Sequence, residues 1–578
     1  MRKKIIPILS VLILIFIILV CVIVGKKVKQ YMPSKEIQDL NKYFAVETDQ
    51  EAAIEVNHTL IEEKAFQKDG QIYLDYNYVH DQLNDRFYWD ANENIMLYTT
   101  SDNVIKISAE SKDYLIGKKK NSMNYIIVLI DADKTYLALD FVAGYTNLEY
   151  KTFEKPNRVL IQTKWGKVTN IEVKKKTQLR VKGGIKSNIL KEMEKGDKLI
   201  KLEALENWTK VSTDDGLVGY VQNKHLGLET EKTESHEFEE ETYTHQMKDF
   251  EINMVWHQIT VPDANYTIST VLQNTKGVNV ISPTWFYLND NDGGIGSLAS
   301  TDYVKYCHDN GIEVWGLVSN LVNQDVDTEE VLTHTSKREN FENQIMAAAI
   351  QYGLDGINID LEELNSTVGE GFIQFIRELS LKCDKNGMVL SVDNYVSSEF
   401  TKFYDRQEQA VFADYLIIMA YDEHYAGSDE GSTASIGFVT KAADDILTEG
   451  VPAEQVILGM PFFTRVWAET PKEGNGDDTE SASDDYVPYE LSSEAVGMNE
   501  AVNRMQVNGA EKEWLDDMGQ YYTEYVNNNI TYKIWLEDVK SLEEKLKVMD
   551  GHEFAGASFW KLGLEDSAVW DTIIKYIK

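Results

Sequence analysis

The sequence predicts an α/β chain whose C-terminal part is a (β/α)8 barrel. Eight apolar, strand-like runs recur between residues 250 and 578, and helical patterns lie between them. One run directly follows a helical stretch and a Gly, which is the order expected of an α/β unit. One N-terminal transmembrane helix, an α+β repeat module and a small all-β domain are predicted to precede the barrel.

Length and composition indicate a globular protein with several domains. The chain has 578 residues, 43% of them hydrophobic and 31 of them Tyr, so about two to four folded domains are expected. Its formal net charge is −38 and its pI is about 4.7. Because such a surface repels phosphate groups, the composition argues against nucleic acid as a partner.

The three cysteines do not form a disulfide framework. Cys21 lies in the apolar N-terminal run, and Cys307 and Cys383 lie in segments with helical patterns. Two free buried thiols or a single bridge between the latter two both fit the sequence. The 10 His residues show no metal-ligand spacing, so no metal and no cofactor are predicted.

The N-terminus predicts an uncleaved membrane anchor within residues 1–33. Basic residues 2–4 precede an uncharged run at residues 5–25, and Lys26 and Lys27 follow it. That length spans a bilayer as a helix. No small-residue cleavage pattern closes the run, and Val20 before Cys21 is a poor match to a lipoprotein signal. Basic residues flank both sides about equally, so charge does not determine the orientation.

Residues 34–165 contain an internal repeat. Residues 69–79 (DGQIYLDYNYV) and 132–142 (ADKTYLALDFV) align at an offset of 63, which also pairs Phe87 with Tyr150. Each copy predicts a strand, a short helix and further strands. The module resembles the N-terminal domain of copper amine oxidases, which is not itself a copper site. A spacer or a wall-binding module is the expected role.

Residues 166–228 predict a small domain of short strands separated by turns. The pattern of Leu179-Arg180, Asn207-Trp208-Thr209 and Gly219-Tyr220-Val221 resembles bacterial SH3 domains, a family often associated with cell-wall peptides. Trp208 and Tyr220 fit either a ligand-facing or a core position. Residues 229–249 are acidic and low in large apolar residues, so a solvated linker is predicted there.

Residues 250–578 contain the predicted barrel. Its eight strands are expected at residues 253–258, 278–282, 313–318, 356–362, 389–394, 415–421, 456–461 and 556–560. The longer interval before the last strand holds NITYKIWL at residues 529–536, which predicts one extra strand in an insertion. The acidic stretch at residues 474–485 predicts a mobile loop after the seventh strand.

The fourth predicted strand carries the candidate catalytic residues. Beta-branched and apolar residues alternate there with polar ones, so Asn358, Asp360 and Glu362 share one face. Three polar side chains in file are costly to bury without partners. An amphipathic edge strand with its acids in water is the alternative, and the preceding helix and Gly argue against it. In a barrel, the polar face would lie inside and Glu362 would lie at the carboxyl end.

Residues 355–362 (DGINIDLE) resemble the D-G-x-D-x-D-x-E signature of glycoside hydrolase family 18, with Asn358 where that family usually has Asp. The resemblance extends from about residue 250 to residue 578 and is nearest to the bacterial branch that acts on peptidoglycan and spore cortex. It implies a substrate-assisted reaction. Glu362 would be the general acid and base, and Asp360 would orient the acetamido group. Asn358 would hydrogen-bond to Asp360 without being able to ionise.

The same resemblance implies further roles. Tyr421 matches the family tyrosine that donates to the acetamido oxygen, Asp422 shares its motif as a sugar ligand, and Trp560 matches the tryptophan below the distorted sugar. Aromatic and polar groups at other strand ends suit a sugar groove; they are Trp285, Tyr395, Met419, Arg465 and Trp467. Asp355 does not lie on the polar face of the strand and is expected to be structural. Glu363 would point to the opposite face from Glu362 and is expected outside the pocket.

The sequence therefore predicts a membrane-anchored glycosidase with an extracellular catalytic domain. Its expected partner is an N-acetylated polysaccharide, either peptidoglycan or a chitin-like polymer, with a cell-wall peptide at the SH3-like domain and the membrane at the N-terminal helix. A chitinase or an endo-acting N-acetylglucosaminidase is one alternative. A glycan-binding surface protein without turnover is the other, and Asn358 keeps it open.

Overall fold

The structure is a computed structural model that describes residues 2–472 and 489–577, with side chains from residue 9 onward. The predicted loop at residues 474–485 lies outside the described residues. The chain forms two compact units, one of residues 1–89 and 106–240, the other of residues 90–105 and 241–578. The change of unit at residues 240 and 241 falls within the segment predicted to be a linker.

The chain begins with one long apolar helix, α1 (Arg2–Tyr31). Its described part Leu9–Tyr31 has 23 residues and a mean hydropathy of 3.0. At a rise of about 1.5 Å per residue this length crosses a hydrocarbon core of about 30 Å. The helix is thus long and apolar enough to span a membrane, and an N-terminal signal sequence shares these properties.

The predicted repeat is visible as two copies of a strand followed by a short helix. The second copy's strand pairs antiparallel with the first, Leu137 lying opposite Leu74, and both residues are buried. The elements of this region are α2 (Leu40–Phe44), β1 (Glu51–Val56), β2 (Thr59–Lys68), β3 (Gln71–Asp75), α3 (Tyr76–Gln82), β4 (Phe87–Asp90), β5 (Ile95–Thr99), β6 (Val104–Ser108), β7 (Asp113–Ile116), β8 (Lys119–Ser122), β9 (Val128–Asp131), β10 (Lys134–Ala138), α4 (Leu139–Ala143), β11 (Glu149–Phe153) and β12 (Arg158–Gln162). One sheet has the order β11-β12-β1-β2-β3-β10-β9.

A second seven-stranded sheet follows, with the order β15-β14-β18-β17-β16-β13-β19. Its strands are β13 (Gly166–Val173), β14 (Thr177–Arg180), β15 (Ile189–Met193), β16 (Lys198–Ala204), β17 (Trp208–Ser212), β18 (Val218–Gln222) and β19 (Leu226–Glu234). The linker prediction is wrong for residues 229–234, which belong to β19. Cross-strand ion pairs compensate the charge of these residues, with Lys167 3.2 Å from Glu231 and Lys201 2.6 Å from Glu229.

Residues 90–105 of the repeat module belong to the same unit as the barrel, so the predicted module of residues 34–165 is divided between the two units. The carboxylate of Asp90 accepts hydrogen bonds from the backbone and the hydroxyl of Thr335, at 2.7 and 2.6 Å. These bonds satisfy a backbone N–H in the first turn of a barrel helix, α8 (Thr335–Tyr352). Gln374 in helix α9 (Gly369–Lys385) donates to Thr99 at 3.0 Å.

The second unit contains a closed parallel barrel of eight strands. The strands are β20 (Ile252–His257), β21 (Val280–Pro283), β24 (Glu313–Ser319), β25 (Gly356–Asp360), β26 (Val389–Tyr395), β27 (Tyr415–Met419), β28 (Val456–Pro461) and β34 (Gly556–Trp560). Each pairs with the next in this order, and β34 pairs back with β20. All eight predicted barrel strands are confirmed to within a few residues.

Helices surround the barrel because its strands are apolar on both faces. They are α5 (Ile268–Val271), α6 (Thr301–Asp309), α7 (Thr328–Thr333), α8 (Thr335–Tyr352), α9 (Gly369–Lys385), α10 (Arg406–Phe412), α11 (Ile436–Thr448), α13 (Val539–Gly551) and α14 (Trp570–Tyr576). Helix α8 ends at Gly353, whose φ of 71° is left-handed and favours glycine. This Gly turns the chain directly towards the candidate strand β25.

Two additions interrupt the barrel. A hairpin of β22 (Phe286–Leu288) and β23 (Ile295–Ser297) follows β21. After β28 comes an antiparallel sheet of order β30-β29-β33-β32-β31, formed by β29 (Phe463–Pro471), β30 (Tyr489–Gly497), β31 (Lys512–Leu515), β32 (Gln520–Asn527) and β33 (Ile530–Leu536), with helix α12 (Met498–Val507) between β30 and β31. The predicted extra strand is β33. The other four strands carry many polar residues and lack the continuous apolar run that identified β33.

Cys307 on α6 and Cys383 on α9 are free and buried, and Cys21 is free and exposed. Burial raises the pKa of the Cys307 thiol to about 12. The alternative of a disulfide between the two buried cysteines is therefore not realised.

We expect Arg338→Met to destabilise the barrel unit by about 3–5 kcal/mol, because it leaves the buried carboxylate of Glu378 without its cation. Arg338 is fully buried and donates to Glu378 at 2.9 and 3.2 Å. The matched control is Lys305→Met, since the Lys305–Asp309 pair is exposed and should contribute no more than about 1 kcal/mol. Urea denaturation of both variants tests this; equal losses would contradict it.

Candidate active site

Strand β25 presents its polar residues to the barrel interior. Ile357, Ile359 and Leu361 are buried in the layer between strands and helices, so Asn358 and Asp360 point the opposite way. Glu362 follows two residues after the last strand residue, at the carboxyl edge where barrel sites form. The shared face predicted from period-two alternation is therefore present.

Asn358 is completely buried and uses both ends of its amide. Its Oδ1 accepts from Trp256 Nε1 at 3.0 Å and from the Ser282 hydroxyl at 2.9 Å. Its Nδ2 donates to Asp393 Oδ1 at 2.8 Å. Among the described contacts, the Asn358 amide donates to the carboxylate on the neighbouring strand and not to Asp360, whose Oδ1 lacks a hydrogen-bond partner.

Asp393 is a candidate site residue that the sequence reasoning missed. It lies on β26 and is 4% exposed. Alternation along the strand could have identified it, because Asp393 shares the parity of Tyr395, which was predicted, and of Val389, which lines the barrel interior. A search restricted to one strand could not show that this carboxylate faces Asn358.

Burial and mutual repulsion raise the pKa values of the inner carboxyls. Burial raises the pKa of Asp360 well above its usual value, and the charges of Asp393 and Glu362 raise it further. Burial also raises the pKa of Asp393 well above normal, and Glu362 adds to this, while the hydrogen bonds from Asn358 and Trp256 oppose it. Oδ1 of Asp360 is buried without a hydrogen-bond partner among the described residues.

Glu362 is half-buried and held from two sides. Its backbone N–H donates to Asn320 Oδ1, and the Asn320 amide donates back to its carbonyl, both at 2.9 Å. Burial raises the pKa of Glu362, and the charges of Glu363 and Asp422 raise it further, while a hydrogen bond from the Tyr395 hydroxyl lowers it. A carboxyl with a raised pKa at a barrel mouth can donate a proton near neutral pH.

Four carboxylates lie close enough to Tyr421 to affect the pKa of its hydroxyl. Burial raises the pKa of its hydroxyl well above normal, followed by the charges of Asp393, Asp360, Glu362 and Asp422. The phenol is therefore neutral and available as a hydrogen-bond donor. Its ring packs edge-on against Trp256 at 6.5 Å and Phe463 at 6.1 Å between centroids.

Three further residues predicted to bind the sugar lie around this centre and differ in their exposure. Trp560 is half-buried and packs edge-on against Trp256 at 5.9 Å. The Asp422 carboxylate is 46% exposed and lies 3.8 Å from the guanidinium of Arg465. Met419 is partly exposed at the end of β27. All three positions are accessible from the carboxyl edge of the barrel.

The sugar-binding roles predicted for Trp285 and Trp467 are wrong. Trp285 is fully buried; its Nε1 donates to Asn265 at 2.8 Å and its ring packs on Tyr303. Trp467 is 1% exposed and donates to the carbonyl of Gly431 at 2.8 Å. Both rings are part of hydrophobic packing with their N–H groups satisfied internally, so neither presents a face to a ligand.

Asp355 and Glu363 both lie outside the polar face of β25, as expected. Asp355 accepts from the backbone N–H of Val314 at 2.8 Å and contacts His308 at 2.8 Å, which ties the start of β25 to its neighbours. Glu363 is exposed, and its backbone N–H donates to the Tyr395 hydroxyl at 3.3 Å.

Two family models match parts of the chain. Residues 324–565 match the model of Glycosyl hydrolases family 18, a range that contains Asn358, Asp360, Glu362, Asp393 and Tyr421. This part of the chain is therefore similar to glycoside hydrolase family 18. Residues 54–161 match the copper amine oxidase N-terminal domain, which confirms the resemblance of the repeat module.

Two curated relatives are glycosylases or lytic enzymes of Bacillus subtilis. The uncharacterized glycosylase YvbX is 24% identical over 54% of this chain and 92% of its own length. The cortical fragment-lytic enzyme is 23% identical over 44% of this chain and 58% of its own length. The chain thus spans little more than half of the latter protein. The family match and these relatives support a glycosidase.

The fold is shared with the spore cortex-lytic enzyme SleL of Bacillus cereus. The two structures align with a TM-score of 0.50 and 17% identity over 57% of this chain and 74% of that chain. This likeness shows the barrel fold alone.

We expect Asp393→Asn to raise the thermal stability of the barrel unit at pH 8 by a few degrees, with little change at pH 4. The pKa of this carboxyl is higher in the folded chain than in the unfolded chain. At a pH above its ordinary pKa the unfolded chain ionises freely while the folded chain resists ionisation, so the carboxyl lowers the stability of the fold there. Near pH 4 and below, the protonated acid and the amide differ little. Calorimetry at both pH values measures this.

The exposed Asp263→Asn serves as the control and should show no such dependence on pH. A stability gain of Asp393→Asn that is equal at the two pH values would contradict the raised pKa of Asp393, which burial causes first.

Proposed function

We propose that the barrel hydrolyses β-linkages of N-acetylglucosamine-containing glycans by substrate-assisted, retaining catalysis. One observation supports this above all: Glu362, Asp360 and Tyr421 converge at the carboxyl edge of the barrel, and the pKa of each is raised. A proton donor, a buried carboxyl and a neutral phenol are the groups that this reaction requires.

In the first step Glu362 transfers its proton to the glycosidic oxygen as the bond to the anomeric carbon breaks. The acetamido oxygen of the substrate attacks that carbon, which forms a cyclic oxazolinium ion and releases the leaving alcohol. The Glu362 carboxylate then accepts a proton from water, whose oxygen opens the ring and regenerates the acetamido group. Proton and charge thus return to their starting positions, and the protein supplies no nucleophile.

Asp360 and Tyr421 act on the acetamido group. A carboxyl beside the acetamido N–H orients it, and ionisation of Asp360 stabilises the positive intermediate. The neutral Tyr421 hydroxyl donates to the acetamido oxygen and turns it towards the anomeric carbon. Trp560, Asp422, Met419, Tyr395 and Arg465 would bind the sugar rings and hydroxyls from the accessible edge.

Asp393 compensates for the amide at position 358. Family members usually have an ionisable carboxyl at that position, next to the acid that holds the acetamido group. Here the amide of Asn358 donates to Asp393 at 2.8 Å, and the charge of Asp393 raises the pKa of Asp360. The neighbouring strand therefore supplies an ionisable carboxyl whose charge acts on Asp360.

Peptidoglycan or spore cortex is the proposed substrate. A cortical fragment-lytic enzyme is among the relatives of the chain. The apolar helix α1 would hold the catalytic unit at the extracellular face of the cell membrane, next to the wall. In this arrangement the SH3-like region would contact wall peptides. The full chain in detergent, incubated with purified peptidoglycan and with chitin oligomers, tests the substrate by mass spectrometry of new reducing ends.

N-acetylglucosamine ends from peptidoglycan alone would support the wall hydrolase, and products from chitin alone would identify a chitinase. Binding of either glycan without any product would favour a surface protein that lacks turnover, a role that Asn358 would then explain.

We expect Glu362→Gln to reduce kcat by about 10²-fold or more while glycan binding is retained, because the amide keeps the shape but cannot donate the proton. The matched control is Glu454→Gln, which removes an exposed carboxylate just before β28, away from the carboxyl edge of the barrel, and should leave kcat within about twofold. Steady-state kinetics on a soluble oligomer and a binding isotherm measure both effects. Unchanged turnover in Glu362→Gln would refute its role.

We expect Asp393→Asn to lower kcat by about tenfold or more and the double variant Asn358→Asp/Asp393→Asn to recover much of it. The double change returns one carboxyl and one amide to the pair with their positions exchanged, so Asp360 again has an ionisable neighbour. The pH–rate profiles of the two variants provide the measurement. A double variant no more active than Asp393→Asn would show that the position of the carboxyl, and not its presence, matters.

A further inference from the structure

The unit formed by residues 1–89 and 106–240 contains a cleft of about 540 Å³. Residues of both of its seven-stranded sheets line the cleft, including Glu55 on β1, Ser212 on β17 and Trp165 between the two sheets. This volume lies within the range of about 300–1,000 Å³ that small-molecule sites occupy. The catalytic barrel belongs to the other unit and contributes nothing to the cleft.

Three buried polar atoms of the cleft have no hydrogen-bond partner among the described residues. They are Oε2 of Glu55, Nε2 of His58 and Nε1 of Trp165. Glu55 is 3% exposed, so its carboxylate is almost entirely removed from bulk water. Leaving such groups without a hydrogen bond is unfavourable, because burial removes the water that would otherwise bind them. Three unsatisfied groups that line one cleft indicate a site for a polar ligand.

The surrounding contacts hold these groups in position. The other His58 nitrogen lies 3.2 Å from the Ser212 hydroxyl and 3.6 Å from Glu55 Oε1. The Trp165 ring stacks on His236 with centroids 5.1 Å apart and planes inclined by 21°. The carboxylate, the imidazole and the indole N–H are thus pre-oriented, which lowers the entropic cost of binding.

The charge of the cleft favours an uncharged ligand. Four carboxylates and three lysines line it, so the two signs nearly cancel and no strong field selects an anion or a cation. The unsatisfied atoms comprise a carboxylate that only accepts, an indole N–H that only donates and an imidazole that can do either. Sugar hydroxyls both donate and accept, and the apolar face of a sugar ring packs on an aromatic side chain.

We propose that this cleft is a saccharide-binding site, formed by Glu55, His58 and Trp165, that holds the chain on a glycan independently of the catalytic barrel. A hydroxyl of the sugar donates to Glu55 and another accepts from the Trp165 indole. Two sites on one chain increase its retention on a polymer, because the second binding event is intramolecular. The proposal concerns binding alone and stands whether or not the barrel is active.

The test measures binding of the full chain in detergent to insoluble peptidoglycan, with Glu362→Gln present throughout so that the polymer is not digested. Trp165→Phe keeps an aromatic ring without the N–H, and Glu55→Gln keeps the shape without the charge. Each should weaken binding by about tenfold, the effect of losing one hydrogen bond to a buried polar group. Trp89→Phe is the matched control, since Trp89 belongs to the same unit and does not line the cleft.

Peptidoglycan stripped of its stem peptides identifies the occupant. A loss of affinity in the two cleft variants that is equal on the stripped and the intact polymer would support the saccharide. A loss that appears only on the intact polymer would overturn it, as would cleft variants that bind like their parent or a loss confined to Trp89→Phe. Thermal denaturation shows that each variant is folded, and Glu55→Gln, which is isosteric, decides the matter if Trp165→Phe is unstable.

Kinetics separate this proposal from the proposed function. With Glu362 intact, Trp165→Phe should leave kcat on a short soluble oligomer unchanged while retention on the polymer falls. If the barrel proves inactive, the binding isotherms still decide the role of the cleft.

Discussion

The hydrogen bond between Asn358 and Asp393 is the interaction on which the proposed active site depends. Carboxyls crowded into a barrel mouth repel one another and resist ionisation, because burial removes the water that would stabilise their charges. An amide between them accepts from Trp256 and Ser282 while it donates to Asp393. It therefore satisfies three neighbours without adding a further charge, and it leaves Asp360 free to interact with a substrate.

The site depends on neighbouring strands in parallel register. Asn358 lies opposite Ser391, two residues before Asp393 on β26, and Asn320 directly follows β24 and holds the backbone of Glu362 from the other side. Each strand delivers its polar residue to the same edge because parallel strands of a barrel end together. Asp360 and Glu362 lie at the end of β25, whereas Asp393 lies on β26 and Tyr421 follows β27. Packing of the outer helices maintains their spacing.

The two compact units carry different properties of the chain. The barrel unit concentrates buried titratable groups at one mouth, as catalysis requires. The other unit concentrates unsatisfied but pre-oriented polar atoms in a cleft whose charges nearly cancel, as binding of a neutral ligand requires. The apolar N-terminal helix would add membrane attachment to both. A glycosidase with these parts would be held near an insoluble polymer and would cleave it repeatedly before release.

The sequence alone determined the eight barrel strands, the repeat and the polar face of β25, because these features follow from local periodicity. It also identified Glu362, Asp360 and Tyr421, because the motifs that contain them can be read from residue spacing alone. Only the tertiary structure decided the partner of Asn358, the burial of Trp285 and Trp467, and the presence of Asp393 in the site. Each of these depends on contacts between residues far apart in the chain, and a one-dimensional pattern of polarity cannot distinguish an aromatic ring in the core from one that faces a ligand.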